Sequence, residues 1–143
     1  MDYKENTAIT VQTSIAAPVE KVWECWTVPE HIINWNNASD DWHTTRAEND
    51  LRVGGKFLSR MEAKDGSMGF DFEGVYEKVN TNETIVYVLG DGRKVRIDFS
   101  ENGNGTQIIE TFDTENVHSE EQQRTGWQNI LENFKRYTEA NIK

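Results

Sequence analysis

The residues best able to do chemistry in this chain are three histidines, one cysteine and a scatter of acids. Their spacing argues against most of it. His31, His43 and His118 form no i, i+4 pair and keep no Cys–His spacing, so no zinc site is expected. Asp40, Asp41 and His43 are close in sequence, but loop acids beside a histidine are common and no metal is assigned to them. Cys25 lies beside an apolar helical stripe with no cation nearby. That suits a small core residue better than a nucleophile. No serine, histidine and aspartate assemble into a nucleophilic set. The stretch "VGGKF" (53–57) lacks the spacing of a phosphate loop, and its glycines suit a bulge or a bend into a strand. No catalytic residue and no cofactor is therefore assigned.

Glu110 is the exception worth following. It alternates with Ile108 and Phe112, so a regular strand points its carboxylate inward, where it needs a partner or a raised pKa. A bulge, or burial of Ile109 instead, would turn it outward, because a slip of one residue exchanges the faces. Ser59, Thr13 and Tyr87 are milder polar groups that could orient a ligand. The loop "NWNNASDDWHTT" (34–45) sets Trp35 and Trp42 around small and polar residues. These tryptophans either anchor the loop to the body or line the mouth of a cavity.

The elements that must position these groups are legible from periodicity. Ile9, Val11, Thr13 and Ile15 alternate along residues 8–16, which predicts a strand. Val19, Val22, Trp23 and Trp26 repeat at i, i+3, i+4 and i+7, with Pro18 suited to the first turn of a helix. Pro29 ends or kinks that helix, and a short second one over about 29–36 carries Ile32, Ile33 and Trp35. From about residue 43 to 114 the pattern becomes strands and turns. Phe57, Ser59 and Met61 share one strand face, and Phe70, Phe72, Gly74 and Tyr76 another. Residues 84–90, the alternating Val95, Ile97 and Phe99, and residues 106–113 complete the meander. Asp65-Gly66, Asp91-Gly92 and "ENGNG" (101–105) supply hairpin turns, which makes the sheet antiparallel.

The last element is a long helix. Ser119 with Gln122 three residues on predicts a capping box, and Glu120 and Glu121 suit the positive end of the helix dipole. Trp127, Ile130, Leu131 and Phe134 then form one apolar face. The expected class is α+β, a curved antiparallel sheet of about six to seven strands whose apolar face this helix covers.

The segments "IAAPVEKVWECWTVPEHIINW", "DLRVGGKF", "MEAKDGS", "FEGVYEKV" and "QRTGWQNILENFKRY" together resemble the START-like (SRPBCC, helix-grip) superfamily. More narrowly they are similar to the C-terminal domain of the activator of the heat-shock protein 90 ATPase. The likeness runs from about residue 8 to residue 140. It implies a sheet gripping the C-terminal helix with an apolar cavity between them. Such proteins bind lipids, polyketides, flavonoids or plant hormones, a few act as cyclases, and some act on the chaperone. No counterpart of the co-chaperone's separate N-terminal domain is seen, which turns the expectation toward a ligand.

On this basis Trp127, Leu131 and Phe134 are expected to form one cavity wall and Met61, Phe70, Phe72 and Tyr87 the other. Trp35 and Trp42 stand at the entrance, with Glu110 a polar candidate inside. Ile130 is expected to be close-packed. The leading expectation is a non-enzymatic binder of a small hydrophobic or aromatic molecule. The alternatives are a chaperone-activator-like interaction module, and a cyclase or hydrolase using Glu110.

Composition narrows the partners. The chain has 143 residues, suited to a single domain spanning 1–143. Twenty-five acids against fifteen bases leave a net charge of −10, which opposes a phosphate backbone and an anionic membrane. Neither nucleic acid nor membrane is expected as a partner. No apolar run approaches membrane-spanning length, the first ten residues lack a signal-peptide core, and the single cysteine cannot pair within the chain. These features suit the cytoplasm.

Overall fold

A computed structural model describes residues 8–141. The elements run β1 (Ala8–Ile15), α1 (Val19–Thr27), α2 (Pro29–Trp35), β2 (Trp42–Asn49), β3 (Lys56–Ala63), β4 (Gly69–Asn80), β5 (Thr84–Leu89), β6 (Lys94–Asn102), β7 (Gly105–Asp113) and α3 (Glu120–Ala140). The strands form one antiparallel sheet in the order β1-β7-β6-β5-β4-β3-β2. The chain thus meanders from β2 to β7 through short turns, and β1 closes the far edge beside β7. The sheet curls into a half-barrel, as the α+β expectation requires.

Local sequence explains where elements stop. Val28 precedes Pro29 and is extended (φ −84°, ψ 124°), so α1 ends there and α2 begins on the proline. Pro18 sits just outside α1 as its N-cap rather than in the first turn. Ser119 accepts from the Gln122 amide while the Gln122 side chain returns to the Ser119 amide, which completes the expected capping box. Gly54 takes φ +84° and Gly55 packs under Asp50, where an added Cβ would lie 2.1 Å from the Asp50 carbonyl oxygen. The glycine pair is therefore a bend into β3, not a phosphate loop.

Two expectations about the elements need correction. Trp42 does not belong to a loop; it opens β2. That strand was illegible because "WHTTRAEN" has no apolar alternation. As an edge strand paired only to β3 it buries Thr44 alone, so no hydrophobic period was required of it. Nor does α3 cover the sheet unaided. Trp23 and Trp26 of α1 meet Phe99 of β6 edge-on, with ring centroids 5.3 and 5.7 Å away. Trp26, Trp35 and Phe134 then join α1, α2 and α3 in one aromatic knot, at centroid distances of 5.1, 4.8 and 4.9 Å. This packing is the main core, with Ile9, Ile15, Ile97, Ile108 and Phe112 beneath it.

Helix α3 lies along β1. Arg124, Gln128 and Lys135 donate to the carbonyl oxygens of Thr10, Gln12 and Ser14 in turn. These bonds satisfy the outer edge of the strand and fix the helix over one side of the half-barrel. The other side, beneath β3, β4 and β5, is left less completely filled.

Candidate functional site

The space left there is a cavity of about 240 Å³. Each wall follows from strand alternation. On β3, Phe57, Ser59 and Met61 point inward; on β4, Phe70, Phe72 and Tyr76; on β5, Ile85 and Tyr87. Gly74 interrupts the β4 set, and the Phe57 ring lies over it. A Cβ at Gly74 would stand 2.8 Å from that ring and 2.8 Å from the Val88 carbonyl oxygen. The glycine is what lets Phe57 lie flat across the strand. The helices close the cavity with Trp26, Ile32, Trp35, Trp127 and Ile130.

The aromatic rings hold one another in place. Phe57 meets Tyr87 edge-on at 4.6 Å and Tyr76 at 5.4 Å. Trp127 stacks on Phe112 at 4.1 Å with planes 9° apart, and its edge meets Phe72 at 6.3 Å. Such contacts set the wall geometry. Phe70 is half exposed and Glu48 is exposed, so the cavity opens to solvent between them.

Its polar groups divide into two kinds. The Tyr76 hydroxyl donates to Asn49 Oδ1 at 2.6 Å, and Asn49 Nδ2 donates to the Thr27 carbonyl at 2.7 Å, so this pair is satisfied. Ser59, Tyr87 and Glu110 are buried too, yet among the described residues their side-chain oxygens have no hydrogen-bond partner. The one fully enclosed side-chain oxygen without a partner there is Thr138 Oγ1. The oxygens of Ser59, Tyr87 and Glu110 therefore keep access to the cavity space.

Glu110 is the costly member of this set. β7 is regular here: Ile108, Glu110 and Phe112 all face inward, and Ile109 lies on the outer face. Glu110 is opposite Val11 on β1 and Ile97 on β6, neither of which can pair with a carboxylate. Burial alone pushes its pKa up to about 8, so it holds a proton at neutral pH. Burial also raises Tyr87 well above the ordinary phenol value, and the nearby Glu110 charge adds to the shift. Cys25, by contrast, lies buried within α1, where burial raises the thiol and leaves it unreactive.

Of the residues singled out from sequence, Trp35, Met61, Phe70, Phe72, Tyr87, Glu110 and Trp127 border the cavity. Trp42 does not; it packs on the rim against Phe70, 5.9 Å between centroids. Leu131 and Phe134 do not either. The face of α3 is split: Trp127 and Ile130 look into the cavity, whereas Leu131 and Phe134 are enclosed in the packed core. Phe134 is turned toward Trp26 and Trp35 because α1 and α2 occupy that side of the helix. Ile130 thus lines the open space that had been expected beside its neighbour. Thr13 on β1 is outside the lining as well. Trp26, Ile32 and Asn49 were missed. Trp26 had a signal, as the last residue of the α1 stripe; Asn49 had none.

A curved antiparallel sheet closed by a C-terminal helix, with two short helices after its first strand, defines a START-like, helix-grip fold. Residues 16–139 match the family described as "Activator of Hsp90 ATPase homolog 1-like protein", and the chain belongs to that family. Solved structures agree. An AHSA1-like protein from Aeromonas hydrophila is 47% identical over 94% of this chain and 93% of its own, with a TM-score of 0.88. Protein Chr148 from Cytophaga hutchinsonii is 53% identical over 93% and 92%, with a TM-score of 0.81. NE0264 from Nitrosomonas europaea shares the fold at a TM-score of 0.83 and 18% identity, covering 99% of this chain and all of its own (100%). No curated protein matches the chain.

Proposed function

We propose that this protein binds a small apolar or aromatic molecule, of lipid, polyketide or flavonoid type, between the sheet and the helices. The observation that carries the reading is the cavity itself: about 240 Å³, walled by aromatic rings, with a few buried oxygens lacking protein partners. Pockets built for small molecules have this character, mainly apolar with a small number of placed polar groups. Removing about 200 Å² of apolar ligand surface from water would contribute on the order of 5 kcal/mol before ordering costs. Micromolar affinity is within reach. The one cysteine is a free, buried thiol, which supports a reducing compartment such as the cytoplasm.

The family description names activation of a chaperone ATPase, and a docking role on that partner is the second reading. The two separate cleanly by experiment. A ligand that binds only the folded state raises the melting temperature. Thermal shifts should be measured with flavonoids, fatty acids and polyketides at high micromolar concentration. A shift of several degrees with at least one class is the expected result. A flat response across the whole panel would remove the ligand reading and leave the chaperone as the partner to pursue.

A further inference from the structure

The cavity's ionisable groups are all acids, and that selects among ligands. The lining holds two acids, Glu110 inside and Glu48 at the rim, and two phenols, Tyr76 and Tyr87. Among the described residues it contains no lysine, arginine or histidine. A buried carboxylate or sulfate on a ligand would find no cation to pair with and would face Glu110. Neutral hydroxyl donors, on Ser59, Tyr87 and protonated Glu110, compensate such a charge less well than an opposite charge does. An ammonium group, in contrast, can form an ion pair with the Glu110 carboxylate and donate to the unpartnered oxygens of Ser59 and Tyr87. The aromatic walls also favour a cation, since the faces of Trp, Tyr and Phe rings are electronegative. The net charge of −10 attracts cations toward the mouth.

Size narrows the choice further. A dry apolar cavity of about 150 Å³ accepts one benzene ring. At about 240 Å³ this cavity has room for a second fused ring, or for one ring system and a short arm. Resting on the ligand-binding reading above, we propose that the cavity selects a two-ring aromatic amine, whose ammonium group donates to the Glu110 carboxylate and the Tyr87 hydroxyl oxygen. Its rings would lie in the open space bordered by Phe57, Phe72, Trp127 and Ile130.

Binding is then linked to a proton. In the free protein Glu110 is protonated near neutral pH, because burial holds its pKa at about 8. An ammonium ion needs the carboxylate, so binding must release that proton. The groups around Glu110 do not mask the effect. Tyr87 from β5 and Tyr76 from β4 stay protonated over this range, both raised by burial. β1 and β6 oppose Glu110 with Val11 and Ile97, and the helices present only Trp26, Ile32, Trp35, Trp127 and Ile130. Glu48 stands at the rim, and Arg93, which acts on Tyr87, is bonded to Asp91. Amine affinity should therefore rise between pH 6 and pH 8 and level off near the Glu110 value of about 8.

The test uses three probes sharing one ring system: indole, tryptamine and indole-3-acetate, titrated calorimetrically into the full chain. Tryptamine should bind at least about tenfold more tightly than indole-3-acetate. Glu110→Gln should erase that difference and the pH dependence, with melting curves showing that the variant is folded. Equal binding of the amine and the acid, or a preference that survives Glu110→Gln, overturns the selectivity, and indole binding then shows the cavity reading still standing. If none of the three binds, the amine proposal falls, and the ligand reading is decided by the flavonoid, fatty-acid and polyketide panel.

Discussion

Glu110 is where a single buried residue sets how stability depends on pH. Its folded pKa of about 8 lies above the 4.5 of an unburied glutamate. The sign follows: the folded state is favoured by the protonated form, fully so below the unfolded value, and this advantage is lost as pH rises toward 8. The cost at pH 9 is on the order of 3–5 kcal/mol. Glu110→Gln removes it. Urea midpoints should fall for the parent between pH 5 and pH 9 and stay nearly level for the variant. Parallel curves would mean that Glu110 is solvated in the folded protein. The acids held below their usual range, Asp65 and Asp91 among them, titrate in a lower window and do not mask the effect. A second prediction contrasts neighbours on α3. Leu131→Ala should cost roughly 2–5 kcal/mol, because Leu131 is 1% exposed and enclosed in the core. Ile130→Ala should cost less, since one side of Ile130 faces open space and fewer contacts are lost. Chemical denaturation of the two variants side by side decides the order.

Among the elements, β4 carries the most specific constraint. Its inward set of Phe70, Phe72 and Tyr76 resembles any half-buried strand, but Gly74 in the middle reserves the space that Phe57 fills. Gly74→Ala puts a methyl group against that ring and the Val88 carbonyl. Overpacking of this kind costs about 1–3 kcal/mol, and moving Phe57 would also displace Tyr87, 4.6 Å away. The expected outcome is a lowered melting temperature together with weakened ligand binding. A variant as stable as the parent would show that Phe57 repacks freely. The edge strands show two ways of ending a sheet. β1 is covered by donors from α3, whereas β2 stays exposed and polar, with Arg46 and Glu48 paired at 3.0 Å on its surface.

At the scale of the whole molecule, charge and cavity act together. With a net charge of −10, association with duplex DNA at physiological salt should be undetectable by fluorescence anisotropy. Submicromolar binding would reveal a basic surface strong enough to overcome the total. The same field leaves cationic and neutral small molecules as the better partners, in line with the selection proposed for the cavity lining. No helix among the described residues is long and apolar enough to cross a membrane.

Period and punctuation were enough for most of the architecture. Alternating Val95, Ile97 and Phe99, the Asp-Gly turns and the Ser119 cap each state a local preference that nothing in the fold opposes, so β6, the hairpins and α3 were legible residue by residue. β2 was not, because an edge strand needs no apolar face. The site was readable only in part, for a similar reason. A stripe at i, i+3, i+4 and i+7 says which face of α3 is apolar, not what each residue of that face meets. The docking of α3 along β1 turned Leu131 and Phe134 into the core and left Trp127 and Ile130 at the cavity. Glu110 had two registers open to it. Pairing with β1 and β6 chose the inward one, and only the assembled sheet supplied the apolar neighbours that hold its proton.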